Sequence, residues 1–340
     1  TQLPTGGQIT QGSGTISQSG STLTIQQNTD KMVGEWESFN IGEKAAVNFK
    51  QPTVDSVSLN RINDSNPTEI QGKLNANGQV YLLNSSGIIF GKTAQVDVGG
   101  LVASTQKLSD ENFKNSKNNF TENSKHSGRV ENLGQITAHG GVVAFIAPEV
   151  SNSGTIKNAG GTVALAAGEK VSLDFNGDGL VSVKIDKAAL NALAENKGLI
   201  QADGGAVIMS AKSADAIMDS VVNNDGIVQA RSLKNHAGRI VLDSVEGTTH
   251  AAGTLDASSV DGKGGSITVT GKTVVVDNTK INASGKTGGG DILIGGDYQG
   301  KNPAVHNAKT TTLSEKVTIN ADAKTTGKGG KVVVWSDEST

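Results

Sequence analysis

A 16-residue phrase that returns along this chain constrains its fold more than any other feature. NLGQITAHGGVVAFIA (132–147) reappears as NSGTIKNAGGTVALAA (152–167) and as NKGLIQADGGAVIMSA (196–211), and looser copies follow toward the C-terminal end. Each copy opens with Asn-x-Gly, turns at Gly-Gly and ends in an apolar run. A short strand–turn unit cannot bury its apolar face alone, so successive copies must stack. The recurrence therefore predicts a solenoid.

The composition fits narrow β-coils with tight corners. The 340 residues include 44 glycines and only 5 prolines, and aromatic residues make up 3% of the chain. Branched aliphatic side chains fill a thin interior, while Gly and Asn adopt the left-handed conformations that corners need. The chain has no cysteine, which excludes disulfides, thiol catalysis and cysteine zinc sites.

Charge and hydropathy argue against several classes of partner. The net charge is −3 with both signs interspersed, and no basic stripe is evident in the sequence, so nucleic acid is not an expected partner. The longest apolar runs, such as 140–148, are too short to span a bilayer, so no transmembrane segment is expected. No signal peptide is visible at the first residues, so the leader of an exported protein would have been cleaved or left out of this sequence.

The pattern divides the chain into a cap and a long run of coils. Residues 1–56 alternate short strands and carry much of the aromatic content, as expected of a terminal coil that must cover its open face. Residues 57–340 are predicted to form the coils. Two segments break the pattern, 106–128 and 169–198, and we expect them to leave the solenoid as excursions. The strand at 80–83 is apolar on both faces, which predicts that both are covered.

Short elements are expected within or beside the excursions. Ser109 followed by two acids predicts a short helix over 109–115. An Asn-Gly-Asp-Gly corner at 176–179 indicates a hairpin. Helical spacing predicts a helix over 187–198, and a further short helix is expected over 213–219.

Motifs for metal or nucleotide chemistry are weak. Asp174–Gly179 matches the first half of a calcium loop, but the twelfth position is Ile185 rather than a bidentate Glu, so a hairpin turn is the favoured interpretation. The five histidines are scattered without spaced partners, and no metal site is predicted. The glycine-rich segments lack the spacing of a phosphate loop, so no cofactor is expected.

Carboxylates are the candidate catalytic groups, because parallel β-helices include polysaccharide-cleaving enzymes, which need two or three acids on one face. The candidates lie at corners of different repeats: Asp203, Asp225, Asp243, Asp256 and Asp291. No cluster stands out among them. No catalytic residue is therefore assigned, and an enzyme is the least favoured interpretation.

Asparagines suggest two further features. The repeated residues Asn132, Asn152, Asn196 and Asn224 would land above one another in stacked coils, which predicts a hydrogen-bonded ladder at a corner rather than a binding site. Among several Asn-x-Ser/Thr triplets, Asn119 is the best candidate for glycosylation, because it lies in a predicted excursion.

Several segments resemble a known family. LNRINDSNPTEIQGKLNANGQVYLLNSSGIIFGKTAQVDVGGLVAST (59–105), GDILIGGDYQG (290–300) and GGKVVVWSD (329–337) are similar to the N-terminal secretion domain of two-partner-secretion exoproteins, and closest to its high-molecular-weight adhesin branch. The resemblance implies a right-handed parallel β-helix with an N-terminal cap and excursions. It also implies an Omp85-type outer-membrane transporter whose periplasmic POTRA-type domains bind the exoprotein unfolded.

The family's Asn-Pro-Asn-Gly-Ile motif falls here on Asn84, Ser85, Ser86, Gly87 and Ile88. The two serines depart from the pattern, so this turn is not held by a proline. By resemblance, Asn84, Gly87 and Ile88 act in transporter recognition or form a structural corner, and both interpretations stay open.

The leading hypothesis is a secretion-targeting and folding-nucleating domain of a large surface adhesin. It would be secreted to the bacterial cell surface after transit through the periplasm, where the full-length protein would contact host cells or matrix. The first alternative is a direct ligand-binding module of adhesin or haem-acquisition type that uses the excursions. The second is a β-helical polysaccharide-cleaving enzyme.

Overall fold

The computed structural model describes residues 2–122, 128–175, 181–213 and 221–340. It is an all-β molecule whose main sheet winds into a right-handed parallel β-helix, as predicted. Its strands stack coil upon coil, so neighbours in space come from successive turns of the chain.

Each complete coil presents three strands, which define faces A, B and C. In one central coil face A is Arg129–Asn132, face B is Gln135–Ala138 and face C is Val142–Ala147. Each strand pairs in parallel with its counterpart in the next coil, and Ile136 lies beside Ile156. The sequence repeat is therefore the structural repeat.

The strands, in chain order, are β1 (Gln8–Gln11), β2 (Gly14–Ser19), β3 (Thr22–Gln27), β4 (Lys31–Trp36), β5 (Ala46–Lys50), β6 (Val57–Ile62), β7 (Thr68–Ile70), β8 (Lys73–Ala76), β9 (Gln79–Leu83), β10 (Ile88–Phe90), β11 (Gln95–Val98), β12 (Gly100–Ser104), β13 (Asn118–Phe120), β14 (Arg129–Asn132), β15 (Gln135–Ala138), β16 (Val142–Ala147), β17 (Glu149–Asn152), β18 (Thr155–Asn158), β19 (Thr162–Ala167), β20 (Lys170–Phe175), β21 (Val181–Lys187), β22 (Leu193–Asn196), β23 (Leu199–Gln201), β24 (Ala206–Ala211), β25 (Val222–Asn224), β26 (Ile227–Gln229), β27 (Arg239–Asp256), β28 (Ser266–Asn282), β29 (Asp291–Ile294), β30 (Thr310–Leu313), β31 (Thr318–Asn320) and β32 (Lys331–Val334). One α-helix, α1 (Asp110–Lys114), and one 3-10 turn (Tyr298–Gly300) interrupt them. The long strands β27 and β28 each contribute to all three faces.

The N-terminal strands pair differently from the coils. β1 pairs with β4 and β2 with β3 in antiparallel fashion, whereas β3 and β4 also begin the parallel stacks with β5 and β6. Trp36 packs edge-on against Phe39 with ring centroids 5.1 Å apart, which places large side chains at this end of the interior. These aromatic rings occupy the region predicted to cap the helix.

The two excursions meet in space as one small antiparallel sheet. β13 pairs with β20, and β20 pairs with β21. This added sheet covers the outer side of face C, where it shares a second apolar cluster with Tyr81, Leu83 and Ala144. The expectation that both sides of the strand at 80–83 are covered is therefore confirmed, because Val80 and Leu82 face the main core.

The short elements match the sequence predictions unevenly. α1 is confirmed, and the Ser109 hydroxyl accepts a hydrogen bond from the Asn112 amide as its N-cap. The helix predicted over 187–198 is wrong, because β22 occupies Leu193–Asn196 and pairs with β17 in the face A stack. Stacking on a neighbouring strand outweighs helical spacing in so short a segment. The corner at 176–179 and nearly all of the helix predicted over 213–219 lie outside the described residues.

Each glycine of the Gly-Gly pair in the repeat is required for a different physical reason. The first glycine adopts a left-handed backbone, with φ of 73° at Gly204. The second lies against the coil before it, since a Cβ on Gly205 would stand 1.9 Å from the carbonyl oxygen of Gly161. The corner between faces B and C thus needs glycine twice in these coils.

The predicted asparagine ladder is confirmed. Asn132 donates from Nδ2 to Asn152 Oδ1 at 2.8 Å, Asn152 to Asn196 at 2.9 Å, and Asn196 to Asn224 at 2.8 Å. All four side chains are fully buried. Each also binds backbone groups of its own corner, so the ladder satisfies polar atoms that the stacked corners bury.

Candidate functional site

Asn84 organises the corner that carries the family motif, between β9 on face C and β10 on face A. Its side chain is 1% exposed. Nδ2 donates to the carbonyl oxygen of Asn66 at 3.1 Å and to Thr68 Oγ1 at 3.0 Å, while Oδ1 accepts from the Ser86 amide at 2.9 Å. The side chain thus closes its own turn and ties it to the preceding coil.

The serines and the glycine complete this corner without a proline. Ser86 Oγ donates to the carbonyl oxygen of Asp64 at 2.9 Å, and the Ser85 carbonyl accepts from the Gly128 amide at 3.1 Å. Gly87 has a φ of 118°, a conformation that residues with a Cβ rarely adopt. Ile88 is fully buried in the main core. Hydrogen bonds to both neighbouring coils therefore hold the turn.

A groove of about 810 Å³ with mixed polar and apolar walls opens beside the corner. Its walls are the end of β6, the loop after it, Ser85 and the first excursion. Arg61 joins these walls, because its guanidinium binds Asp110 at 2.6 Å, Glu35 at 3.3 Å and the Leu108 carbonyl at 2.8 Å. Sequence reasoning missed this groove, since no local signal pairs Arg61 with the excursion.

Asn119, the glycosylation candidate, lies in the middle of β13 rather than in a loop. It is half-buried and pairs with Ser172 of β20. The residue that follows it, Phe120, is fully buried. Its modification stays a prediction.

The five candidate aspartates take separate local roles. Asp203 has the most hydrogen-bond partners of the five, since its carboxylate accepts hydrogen bonds from Gln201, Gln229 and Arg231. Burial works to raise the pKa of Asp203, but these hydrogen bonds together hold it below its usual range. Such a carboxylate stays ionised and stabilises a corner.

The other four aspartates are distributed over different faces and corners. Asp225 accepts from Asn223 after face A, and Asp256 accepts from the Ser258 amide at the end of face B. Asp243 accepts from Thr270 on face C, where Asp291 is exposed. Each of the bonded carboxylates is used within its own coil or the next, which is the pattern of corner stabilisation.

The histidines are likewise dispersed in the described part of the chain. His139 pairs with Asp97 at 2.5 Å, and His306 lies 3.6 Å from Asp243, a neighbour that raises the pKa of this imidazole. Within residues 2–122, 128–175, 181–213 and 221–340, no three His, Cys, Asp or Glu side chains are grouped so as to hold a metal ion. His126 lies outside this part.

Hydropathy of the helices gives one further finding. In the described ranges, neither α1 nor any other helix has the length and apolar character needed to cross a membrane.

Comparison with known proteins shows the family. A model of the TPS secretion domain matches residues 1–257. The chain is 32% identical over 332 residues to a heme/hemopexin-binding protein of Haemophilus influenzae strain Rd, covering 94% of this chain and 36% of that protein. A second heme/hemopexin-binding protein of H. influenzae is also 32% identical, over 84% of this chain and 33% of its own length. The chain thus spans about a third of the length of these curated relatives.

A solved structure agrees with this assignment. The HMW1 secretion domain from Haemophilus influenzae superposes with a TM-score of 0.89 at 31% identity, covering 99% of this chain and 88% of that one. The similarity extends through the cap, the coils and the excursions, since nearly every residue of this chain is included. With the family model and the relatives in agreement, the chain belongs to the TPS secretion domains, the exported partners of two-partner secretion.

Proposed function

We propose that this chain is the secretion-targeting and folding-nucleating domain of a large surface exoprotein. Its partner is an Omp85-type outer-membrane transporter whose POTRA-type periplasmic domains bind the chain before it folds. Membership of the secretion-domain family supports the targeting role. The protein then reaches the cell surface or medium, where the full-length exoprotein contacts host cells or matrix.

The observation that carries this proposal is the burial of the motif at Asn84–Ile88. Asn84 and Ile88 have 1% and 0% of their surface exposed, and the polar atoms of the Asn84 side chain are bonded inside the corner. A transporter could therefore contact these side chains only before the coils close. An unfolded β-prone segment can add as a strand to an open sheet edge of a docking domain.

The coil architecture supports the folding-nucleating role. Each coil buries its apolar residues mainly against its neighbours, so folding can begin at one end and propagate. Outside the membrane, every closed coil would remove an extended segment from the pore and oppose its return. The excursions could close only afterwards, because β13 and β20 belong to segments separated by two coils.

Export is the direct test. The chain is expressed behind a leader in cells with and without the cognate transporter, and its amount in the medium is measured. We expect export only with the transporter present. Retention in the periplasm under both conditions would refute the targeting role.

The role of the motif is tested with a matched pair of buried asparagines. Asn84→Ala and Asn132→Ala each remove a corner side chain, so both should lower the stability of the purified protein by about 2 kcal/mol. If the motif is recognised, only Asn84→Ala should also lower transporter-dependent export, by roughly tenfold, as 1.4 kcal/mol of lost binding would. Equal export of the two variants would leave Asn84 a purely structural residue.

The second candidate function is direct ligand binding, and the names of the relatives favour haem acquisition. Two heme/hemopexin-binding proteins are 32% identical to this chain. We therefore propose haem or hemopexin as the ligand to test, with the excursions as contact surface. Titration of the folded chain with haemin, followed by visible absorbance, and a hemopexin pull-down would decide it. Removal of the excursions should abolish binding while export survives.

A further inference from the structure

The corner between faces B and C changes character along the β-helix. In the central coils it is a tight Gly-Gly turn, as at Gly160–Gly161 and Gly204–Gly205. In the C-terminal coils it lengthens into four loops that we name the lysine corner, comprising residues 232–238, 259–265, 285–290 and 323–330.

These loops stack on one another like the strands. Bridges link Ser232 to Ser259, Ser259 to Gly285, and Gly285 to Ala323. The Lys324 amide donates to the Gly285 carbonyl at 2.8 Å. Residues that are far apart in the sequence therefore form one continuous ridge along the rod, with adjacent loops separated by roughly the 4.8 Å spacing of neighbouring strands.

The ridge is basic, although no basic stripe is evident in the sequence. It carries five exposed lysines against one acid, Asp261, so its net charge is +4 in a chain whose total is −3. Asp291 and Asp322 flank it. The lysines are Lys234, Lys263, Lys286, Lys324 and Lys328. In the described part of the chain, none of their ammonium groups has an ion-pair or hydrogen-bond partner.

Apolar side chains protrude from the same ridge. Leu233 is 47% exposed and Val260 is 72% exposed, and they occupy equivalent positions in adjacent loops. A shallow cavity of about 290 Å³ in the same loops is lined by Lys234, Lys263 and glycine backbone, and also by the acid Asp291. The ridge thus combines unpaired cations with exposed aliphatic tips.

We propose that the lysine corner binds an anionic lipid surface. Phosphate headgroups would contact the lysines, and the tips of Leu233 and Val260 would enter the headgroup layer. Lysines near such a surface each contribute to attraction within a Debye length. The four loops contain no Phe, Tyr or Trp, so they lack the rings on which nucleic-acid bases stack. A purely electrostatic partner would leave the aliphatic tips without a role.

Vesicle co-sedimentation tests this proposal with the full chain. Vesicles of phosphatidylcholine alone are compared with vesicles containing about one third phosphatidylglycerol, and we expect binding only to the latter. Replacing Lys234, Lys263 and Lys286 by glutamine should weaken binding on the order of 100-fold, or about fivefold for each lysine. The matched control replaces Lys44, Lys73 and Lys92, which are exposed at or directly after the corner between faces A and B, and should change binding less than about twofold.

A second variant separates a lipid surface from any other polyanion. The double substitution Leu233→Ser and Val260→Ser should weaken vesicle binding about tenfold while leaving retention on a heparin column unchanged, because it removes no charge. Thermal unfolding checks that each variant is folded. Equal loss in the two lysine triples, or a serine variant that binds vesicles as the parent does, would overturn the proposal. So would retention on heparin without any vesicle binding.

Discussion

The central coils, residues 129–230, and the C-terminal coils, residues 239–334, share one architecture but are stabilised differently. The central coils contain the buried asparagine ladder, tight Gly-Gly corners and a face C that is buried on both sides. In the C-terminal coils face C alternates buried and partly exposed residues, and the corners are long loops. The same backbone stack therefore tolerates two quite different surfaces.

The difference shows which features every coil needs and which features can vary from one coil to another. Parallel pairing and inward aliphatic residues are common to both regions, with Ile200 and Ile281 buried alike on face B. Of these two regions, the central coils have the ladder and pack against the added sheet, which also covers earlier coils at Leu59 and Tyr81. The short corners of the central coils leave little exposed loop, whereas the long corners of the C-terminal coils expose side chains such as Lys263 and Val260.

Glycine substitutions should give the largest difference in stability loss between the two regions. Gly205→Ala would press a Cβ against the carbonyl oxygen of Gly161, 1.9 Å away, and should destabilise the protein by about 3 kcal/mol. Gly329→Ala in a C-terminal corner meets its nearest atom at 3.9 Å and should change stability by no more than about 0.5 kcal/mol. Denaturant unfolding measures both. Similar losses in the two variants would mean that the corners are equally tight.

The asparagines should show the next largest contrast. Asn152→Ala removes the middle of the ladder and takes one hydrogen-bond partner each from the buried Nδ2 of Asn132 and the buried Oδ1 of Asn196, for a loss of about 2–3 kcal/mol. Asn282→Ala removes one bond to the Ser284 amide at a half-buried corner and should lose only about 1 kcal/mol. Thermal unfolding of the two variants compares them directly. If Asn282→Ala proved as damaging, the ladder would carry no special stability.

An acid-sensitive contact in the C-terminal coils should give the smallest effect. Bonds from Lys331, Asn302 and the Tyr298 amide lower the pKa of Asp297 to about 2. Because the folded-state pKa is depressed, this contact stabilises the fold above about pH 4 and is lost as pH falls toward 2. It should contribute about 1 kcal/mol after solvent screening.

The Asp297→Asn variant checks this acid dependence. Its denaturation midpoint should fall less than that of the parent protein between about pH 5 and pH 2.5, because the group that titrates has been removed. Asp203→Asn provides the same comparison in the central coils, because hydrogen bonds also lower the pKa of the Asp203 carboxyl. If the parent protein and the Asp297→Asn variant lost the same amount of stability as the pH fell, other groups would control acid unfolding.

Much of the fold could be predicted from the repeat, and the predictions that were wrong have physical explanations. The solenoid, the ladder from Asn132 to Asn224 and helix α1 follow from spacing and capping, and the structure has each of them. The helix predicted over 187–198 failed because a short segment takes the conformation that its neighbour imposes. For the candidate site, the motif at Asn84–Ile88 was located by resemblance, whereas the groove beside it was not foreseen.

The sequence by itself determined the coil, because each strand, corner glycine and ladder asparagine is specified by its near neighbours and repeated from one turn to the next. Only the tertiary structure decided which distant segments meet. It paired β13 with β20, joined Arg61 to Asp110, and stacked the loops that carry Lys263, Lys286 and Lys328 into one ridge. Such contacts depend on how many turns separate two segments, and a single sequence carries no periodic signal for a pairing that occurs once.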